Sequence, residues 1–322
     1  MRSAARSFLA LFVAVFVLMA TQRAGAWSES GHHLVALLAF DELTPEEQQK
    51  LLAILAAHPR YAEDFTPPEK IKNADRFRVG TAGYWPDIAR KLPEYNRPSW
   101  HYQLGATLTL GEPSEYQVPK TPGELPTDAT LETQDLHIAQ AIELSRRIFN
   151  DQAAPPADRA IALCWLGHLV GDAHQPCHAG SLYAARLFPE GDRGANSIPT
   201  RQKNNMHALW DGLLGGRYSE GTLDRRVKEI AAPEFAVAGN AAMAAENPLE
   251  PLVWLAESRS AAVDHAYTHE VLGPVKATME EGGELPEIYF SEAYLKQAGK
   301  LAQLRAVAAG KRLAAIWREG TR

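Results

Sequence analysis

A histidine and an aspartate lie inside a stretch of chain that is otherwise largely apolar. In the segment LGHLVGDAHQPCH, residues 166–178, His168 and Asp172 are four residues apart, so on a helix they face the same side. Imidazole and carboxylate groups in apolar surroundings need a partner, because burial without one is costly. The segment therefore constrains the fold to bring matching groups to this one helix face.

A second pair with the same spacing occurs downstream, in NNMHALWDG, where His207 and Asp211 are four residues apart. His178 lies between the two pairs, just beyond a proline. Nitrogen and carboxylate oxygen donors at helical spacing are typical of a zinc site built between helices. The alternative is that these are surface groups or satisfied core polar groups. Two pairs with a third histidine between them favour the metal site.

Helical periodicity dominates the rest of the chain. Thr44-Pro45-Glu46-Glu47 is a strong helix start, since Thr caps, Pro opens the helix and Glu47 completes a capping box. We expect an all-α fold, a single mostly helical domain over residues 27–322 with long loops around the metal cleft. The predicted helices are 31–43, 45–58, 69–79, 84–91, 132–150, 158–175, 205–214, 251–271 and 289–319, and the predicted polar loops are 102–128 and 179–204.

Residues 1–26 have the pattern of a secretory signal peptide. Arg2 and Arg6 precede an apolar run from Phe8 to Ala20, and Ala24-Gly25-Ala26 is a small-residue cleavage site. The alternative is a membrane anchor, but the run is shorter than the roughly 20 residues that a span needs. We expect cleavage between Ala26 and Trp27, and export to the periplasm or the outside.

The charge of the chain limits its partners. The formal net charge is −6, and the first 26 residues hold three arginines and no acid, so the remainder carries −9. Proteins that bind nucleic acids mainly through phosphate attraction are usually basic. Either the partner is not a polyanion, or bound cations supply positive charge locally.

Further candidate ligands lie upstream of the two pairs. Asp87 stands in YWPDIAR, and His101 stands fourteen residues later in RPSWHYQ. Trp27 and His32 lie at the expected start of the mature chain, where a free α-amine and the Trp27 carbonyl would form a five-membered chelate. Each of these residues alone also fits an ordinary structural role.

Taken together, these motifs resemble the type I (S-one/P-one) nucleases of fungi and plants, which are zinc-dependent and specific for single strands. Their superfamily includes the bacterial zinc-dependent phospholipases C. The matching motifs, in family order, are W-x-x-x-G-H at Trp27–His32, W-x-D-I-x-R at Trp85–Arg90, W-H-Y at Trp100–Tyr102, G-H-x-V-G-D-x-H-Q-P-x-H at Gly167–His178, G-D-R-G-x-N at Gly191–Asn196 and N-x-H-A-L-W-D at Asn205–Asp211.

The resemblance implies three zinc ions with ligands from this chain. One ion would be held by the Trp27 amine and carbonyl, His32 and Asp172. A second ion would be held by Asp87, His101, His168 and Asp172, so that Asp172 bridges the first two ions. The third ion would be held by His178, His207 and Asp211. His174 is interpreted as a residue that orients a ligand through a hydrogen bond.

The same resemblance implies the reaction. A hydroxide held by zinc at the catalytic residues Asp87 and Asp172 would attack phosphorus, since bound zinc lowers the pKa of water to about 7. The products would carry a 5′-phosphate. Single-stranded DNA and RNA are the expected partners, because an unpaired base can stack on Tyr102 beside Asn196. Hydrolysis of 3′-nucleotides is left open, and neither stable membrane association nor an obligate protein partner is expected.

One departure and two alternatives accompany this interpretation. Leu104 stands where the fungal and plant enzymes have an aspartate that positions the attacking water. A zinc-dependent phospholipase C is the first alternative, but the lipases have Glu where this chain has Asp211. A non-catalytic exported zinc-binding protein is the second, and the presence of all nine expected ligands argues against it.

Overall fold

The computed structural model describes residues 27–322, which form a mostly helical domain, as the sequence predicted. The predicted signal segment, including Ala26, lies outside the described residues. The α-helices are α1 Glu29–Asp41, α2 Pro45–Leu55, α3 Tyr61–Asp64, α4 Ala74–Ala89, α5 Ile138–Asn150, α6 Pro156–Ala173, α7 Pro176–Ala179, α8 Met206–Asp211, α9 Glu220–Ile230, α10 Pro233–Ala244, α11 Pro251–Ala261, α12 His269–Glu281 and α13 Glu292–Gly320. Within residues 27–322, no helix combines the length and apolarity needed to cross a membrane.

Helix α6 is the centre of the domain. Every residue from Ala160 to Ala173 is buried, because α1, α2, α4, α5 and α13 all pack around it. A helix that is apolar on all sides is stable only when it is enclosed in this way. His168 and Asp172 therefore lie deep in the core rather than at its edge.

Glycines allow α1, α4 and α6 to approach one another closely. A Cβ on Gly83 of α4 would lie 2.9 Å from the Ala36 Cβ and 3.0 Å from the His32 carbonyl oxygen, both in α1. A Cβ on Gly167 of α6 would lie 3.2 Å from the Gly83 Cα. The close packing places the ligand candidates on these three helices next to one another.

The two predicted polar loops contain a small parallel sheet. Strand β1, Gly105–Leu110, pairs with β2, Gly180–Ala184, with Gly105 opposite Gly180. The backbone N–H of Gln103 also donates to the carbonyl of His178 at 3.0 Å. This pairing joins the segment that follows His101 to the segment that follows the first His/Asp pair.

The prediction of two short helices at 69–79 and 84–91 was wrong. A single helix, α4, continues through Pro86 and begins at Asn73, whose side chain accepts from the Arg76 N–H. An internal proline costs about 3 kcal/mol, but Pro86 stands near the helix end. The small-residue face at Gly80 and Gly83 packs closely on α1 and α6.

The prediction of one helix over 251–271 was also wrong. Helix α11 passes into a short π-helical turn at Ala262–Ala266 and stops at Tyr267, and α12 then starts separately. The Tyr267 hydroxyl donates to the buried Asp192 at 2.8 Å. This contact spans 75 residues of sequence, so the local helical pattern gives no sign of the break.

The glycine packing yields a stability prediction. Gly83→Ala should lower the unfolding free energy of the metal-free protein by about 1–3 kcal/mol through overpacking. As a matched control, Gly299→Ala in α13 meets no atom within 4 Å, and it should gain about 0.5–1 kcal/mol from helix propensity. Urea denaturation measures both changes. A Gly83→Ala protein as stable as the Gly299→Ala protein would contradict the packing argument.

Candidate metal centre

Four elements contribute to the first part of the centre. His32 comes from α1, Asp87 from α4, His101 from the 3-10 helix Pro98–His101, and His168 with Asp172 from α6. All except Asp87 are at most 2% exposed, and the Asp87 side chain is 10% exposed. The structure therefore brings together these sequence-predicted ligands, although the first and the last, His32 and Asp172, are 140 positions apart in the sequence.

The two oxygens of Asp172 face different imidazoles. Its Oδ1 lies 3.3 Å from His32 Nε2, while its Oδ2 lies 2.9 Å from His101 Nδ1 and 3.3 Å from His168 Nε2. Asp87 completes the arrangement with its Oδ1 at 3.9 Å from His168 Nε2. A carboxylate whose two oxygens face different candidate ligands has the arrangement that a bridging metal ligand requires.

The second part of the centre is formed by His178, His207 and Asp211. Their ligand atoms lie within 4.8 Å of one another, and the imidazole centroids are 4.8 Å apart. The His207 Nε2 is 3.5 Å from the Asp211 Oδ2, as expected for residues one turn apart on α8. Nitrogen and oxygen donors in a group of three fit a zinc ion.

Backbone carbonyls fix the tautomers of three histidines. The Nδ1 of His168 donates to the Gly83 carbonyl at 2.9 Å, and the Nδ1 of His178 donates to the His101 carbonyl at 2.6 Å. The Nδ1 of His207 donates to the Gly194 carbonyl at 2.6 Å. Since a carbonyl can only accept, the neutral form of each ring has its lone pair on Nε2, which faces the centre, as in metal-ligating histidines.

Several buried atoms in the centre make no hydrogen bond within residues 27–322. They include both ring nitrogens of His32, the Oδ1 of Asp172 and the Nε2 of His178. An unsatisfied buried polar atom costs about 1–3 kcal/mol, and metal coordination would remove that cost. The donor set and these atoms both fit divalent metal ions.

Burial sets the pKa values of the metal-free centre. Desolvation lowers the pKa of His32, His101 and His178 well below 6.5, so these imidazoles are neutral, which is their metal-binding form. Desolvation also raises the pKa of Asp172 to about 6 and that of Asp211 well above its usual range. The carboxylates therefore lack compensating positive charge, which a dication would supply.

The pKa of His168 shifts in the direction opposite to the pKa values of His32, His101 and His178. Burial lowers the pKa of His168, but the nearby Asp172 and Asp87 outweigh it, so the net shift is upward. Arg90 lies with its Nε 2.6 Å from the Asp87 Oδ1. This ion pair holds the Asp87 carboxylate at the edge of the centre.

Trp27 is fully buried directly beside the centre. Its indole Nε1 donates to the Gly171 carbonyl at 3.0 Å, and the next residue, Ser28, donates its backbone N–H to the Asp211 carbonyl at 2.9 Å. The start of the described chain is thus attached to both parts of the centre. Its role as a ligand through a free amine stays a prediction.

A cavity of about 120 Å³ opens next to the second part of the centre. It is lined by Tyr102, Leu104, His178, Arg193, Asn196 and His207. The predicted substrate residues Tyr102 and Asn196 therefore lie beside two ligand candidates. Sequence reasoning missed Arg193, although it stands inside the G-D-R-G-x-N motif.

The loop that carries Arg193 is held by a buried aspartate. Asp192 accepts from the Ser181 hydroxyl at 2.7 Å and from the Tyr267 hydroxyl at 2.8 Å. The backbone then adopts positive φ at Arg193, Gly194 and Ala195 (60°, 64° and 66°). Such conformations cost energy for residues other than glycine and persist where the surroundings enforce them.

The interpretation of His174 as a ligand-orienting residue was wrong. Its Nδ1 donates to the Val170 carbonyl at 2.7 Å, and its Nε2 accepts from the Arg312 guanidinium at 2.8 Å. Arg312 and Arg305 both bind Glu257, at 2.6 and 2.7 Å. His174 thus belongs to a buried ion cluster that attaches the end of α6 to α11 and α13.

The fold and the site define a helical protein with groups that could hold several metal ions. More particularly, the chain belongs to the S1/P1 nuclease family, since the model of that family matches residues 27–320. Three similar proteins are endonucleases of Arabidopsis thaliana. Endonuclease 3 is 25% identical over 216 residues, covering 64% of this chain and 62% of that protein. Endonuclease 5 is 28% identical over 203 residues (58% and 56%), and endonuclease 1 is 24% identical over 220 residues (66% and 62%). The chain thus spans less than two thirds of the length of these curated relatives.

The position of Asp172 yields a second prediction. Asp172→Asn should remove more than one metal ion, because both carboxylate oxygens face ligand groups. The loss in turnover should exceed the roughly 10–100-fold effect of losing an outer contact. The metal-free variant should be at least as stable as the wild type, since burial disfavours the charged form of Asp172. Metal analysis and denaturation measure these effects.

Asp264→Asn is the control, because it makes the same chemical change at an exposed position. It should leave the metal content unchanged. If the Asp172→Asn protein retains its full metal content and turnover, Asp172 is not a bridging ligand.

Proposed function

We propose that this protein is an exported, zinc-dependent endonuclease. It would hydrolyse phosphodiester bonds of single-stranded DNA and RNA and leave 5′-phosphate ends. The observation that carries the proposal is the Asp172 carboxylate, whose two oxygens face His32 on one side and His101 with His168 on the other. Membership of the S1/P1 nuclease family supports the same reaction.

Three zinc ions would bind to the groups described above. The Trp27 amine and carbonyl with His32 would hold one ion, and Asp87, His101 and His168 would hold another, with Asp172 shared. The third ligand set consists of His178, His207 and Asp211. Bound zinc would supply a Lewis acid for the phosphate oxygens and would lower the pKa of water towards neutrality.

Backbone carbonyls and side chains of the protein would then orient the reacting groups. The carbonyls of Gly83, His101 and Gly194 hold the imidazoles, so the ligand geometry is fixed before substrate arrives. Arg90 holds the Asp87 carboxylate at the edge of the centre. Asp87 and Asp172 would thereby position the attacking water.

The cavity beside the centre supports the proposed preference for single strands. A base on the Tyr102 ring would lie next to Asn196 and the second part of the centre, which requires the base to leave its stack in a duplex. Leu104 lines the same cavity with an apolar side chain, at the position that the resemblance to the fungal and plant enzymes assigns to an aspartate. The ligand carboxylates would therefore position the water without that side chain.

The activity test uses four substrates: single-stranded DNA, RNA, 3′-AMP and phosphatidylcholine. We expect cleavage of the first two with 5′-phosphate ends, full loss of activity with a chelator and recovery with zinc. Metal content is measured in the same samples. Hydrolysis of phosphatidylcholine alone would favour the phospholipase C alternative, and zinc binding without turnover of any substrate would favour the non-catalytic one.

The proposed cleavage before Trp27 yields a separate prediction. In the uncut chain the Trp27 nitrogen is an amide, which is a poor zinc donor, whereas cleavage makes it an amine. A protein with one extra residue before Trp27 should lose one zinc ion and most of its turnover. Proteolytic removal of that residue should restore both. If the extended protein binds the same number of ions and has normal turnover, the amine is not a ligand.

A further inference from the structure

The segment of residues 193–205, called the basic segment below, is the connection between the cavity and α8. It contains Arg193, Arg201 and Lys203 and no acidic residue. All three side chains are exposed, and within residues 27–322 none of them forms a salt bridge. Unpaired cations in one short segment are notable in a chain whose net charge is negative.

The basic segment is fixed next to the metal centre at both ends. At its start, Arg193 lines the cavity beside His178 and His207. At its end, the Asn205 side chain accepts from the Ala208 N–H and so caps α8, which carries two ligand candidates. The stem of Lys203 lies beside Gly212, the residue after Asp211. The basic segment is therefore held beside the centre at both of its ends.

An exposed aromatic ring lies beside the middle of this segment. The backbone N–H of Arg201 donates to the Ile288 carbonyl at 3.0 Å, and the Gln202 side chain donates to the Phe290 carbonyl at 2.7 Å. Ile288 and Phe290 are buried, whereas Tyr289 between them is 69% exposed. The ring is thus held outwards on a backbone that is fixed on both sides.

We propose that the basic segment and Tyr289 form a track for a single-stranded nucleic acid outside the catalytic cavity. The cations would bind phosphates that flank the cleaved bond, and Tyr289 would stack an unpaired base. Cations combined with an exposed ring are the pattern of sequence-independent single-strand binding.

This inference rests on the proposed nuclease function and names its substrate more closely. A mononucleotide or dinucleotide bound at the cavity would be too short to contact Arg201, Lys203 and Tyr289 together. A longer strand gains these contacts. The track therefore makes the protein an enzyme for oligonucleotides and polynucleotides, with nucleotides as weaker substrates.

The test compares kcat/KM on a single strand of about 12 nucleotides and on a dinucleotide. The kcat/KM of the Arg201→Glu/Lys203→Glu double variant should fall about tenfold on the long strand and by less on the dinucleotide. Its slope of log KM against log salt should become shallower by about 0.7 for each lost phosphate contact. The matched control is Lys296→Glu/Lys300→Glu, the same charge change at exposed positions of α13, which should alter neither substrate.

Tyr289 is tested with a conservative pair of variants. Tyr289→Ala should weaken binding of the long strand about tenfold, whereas Tyr289→Phe keeps the ring and should bind like the wild type. Thermal melting checks that each variant is folded. Arg201→Gln/Lys203→Gln replaces the charge-reversal variant if that protein does not fold, and its effect should be smaller in the same direction.

Binding is also measured by fluorescence anisotropy with a labelled phosphorothioate single strand, which separates the track from catalysis. Suppose that the wild type cleaves the long strand and that the double variant keeps both the wild-type salt slope and the wild-type ratio of kcat/KM on the long strand to kcat/KM on the dinucleotide. The proposed track is then contradicted, and the nuclease function stands. If the wild type cleaves neither substrate, the proposed function fails, and the anisotropy decides on the track. Equal binding by the wild type, the double variant and Tyr289→Ala would overturn it.

Discussion

The contact on which the rest of this structure depends is the one between the buried Asp172 carboxylate and the imidazoles around it. A carboxylate at the centre of the domain is costly, which the rise of its pKa to about 6 expresses. Helices α1, α4 and α6 nevertheless converge on it, and their glycines permit the close approach. The binding of cations and the stability of the core are therefore linked in this protein.

The carboxyl-terminal end of the central helix α6 is held by two different sets of contacts. His168 and Asp172 face the metal centre, and His174, which follows the helix directly, binds Arg312 of the buried ion cluster. Two arginines share the single carboxylate of Glu257 there, and burial lowers the pKa of His174, so that its ring is neutral and can accept. The cluster fixes α11 and α13 against α6 without contributing an atom to the centre.

The sequence predicted the ligand candidates better than the elements that carry them. His168 and Asp172 lie on the same face of α6 because their spacing depends only on helix geometry. The capping box at Thr44 is confirmed, since it too depends only on residues close in sequence. The helix through Pro86 and the break at Tyr267 depend on packing and on a bond to Asp192, far away in sequence. Strands β1 and β2 escaped prediction because each is short and lies in a polar loop. The sequence does not indicate a role for Arg193 or Tyr289, because the residues next to them in the fold are distant in the sequence.

His101 takes part in both halves of the centre with different atoms. Its ring lies 2.9 Å from Asp172, and its carbonyl fixes the ring of His178. A shift of His101 on loading one half would thus reorient a ligand of the other half. Metal uptake would then be cooperative, since the first ions would prepare the geometry for the last.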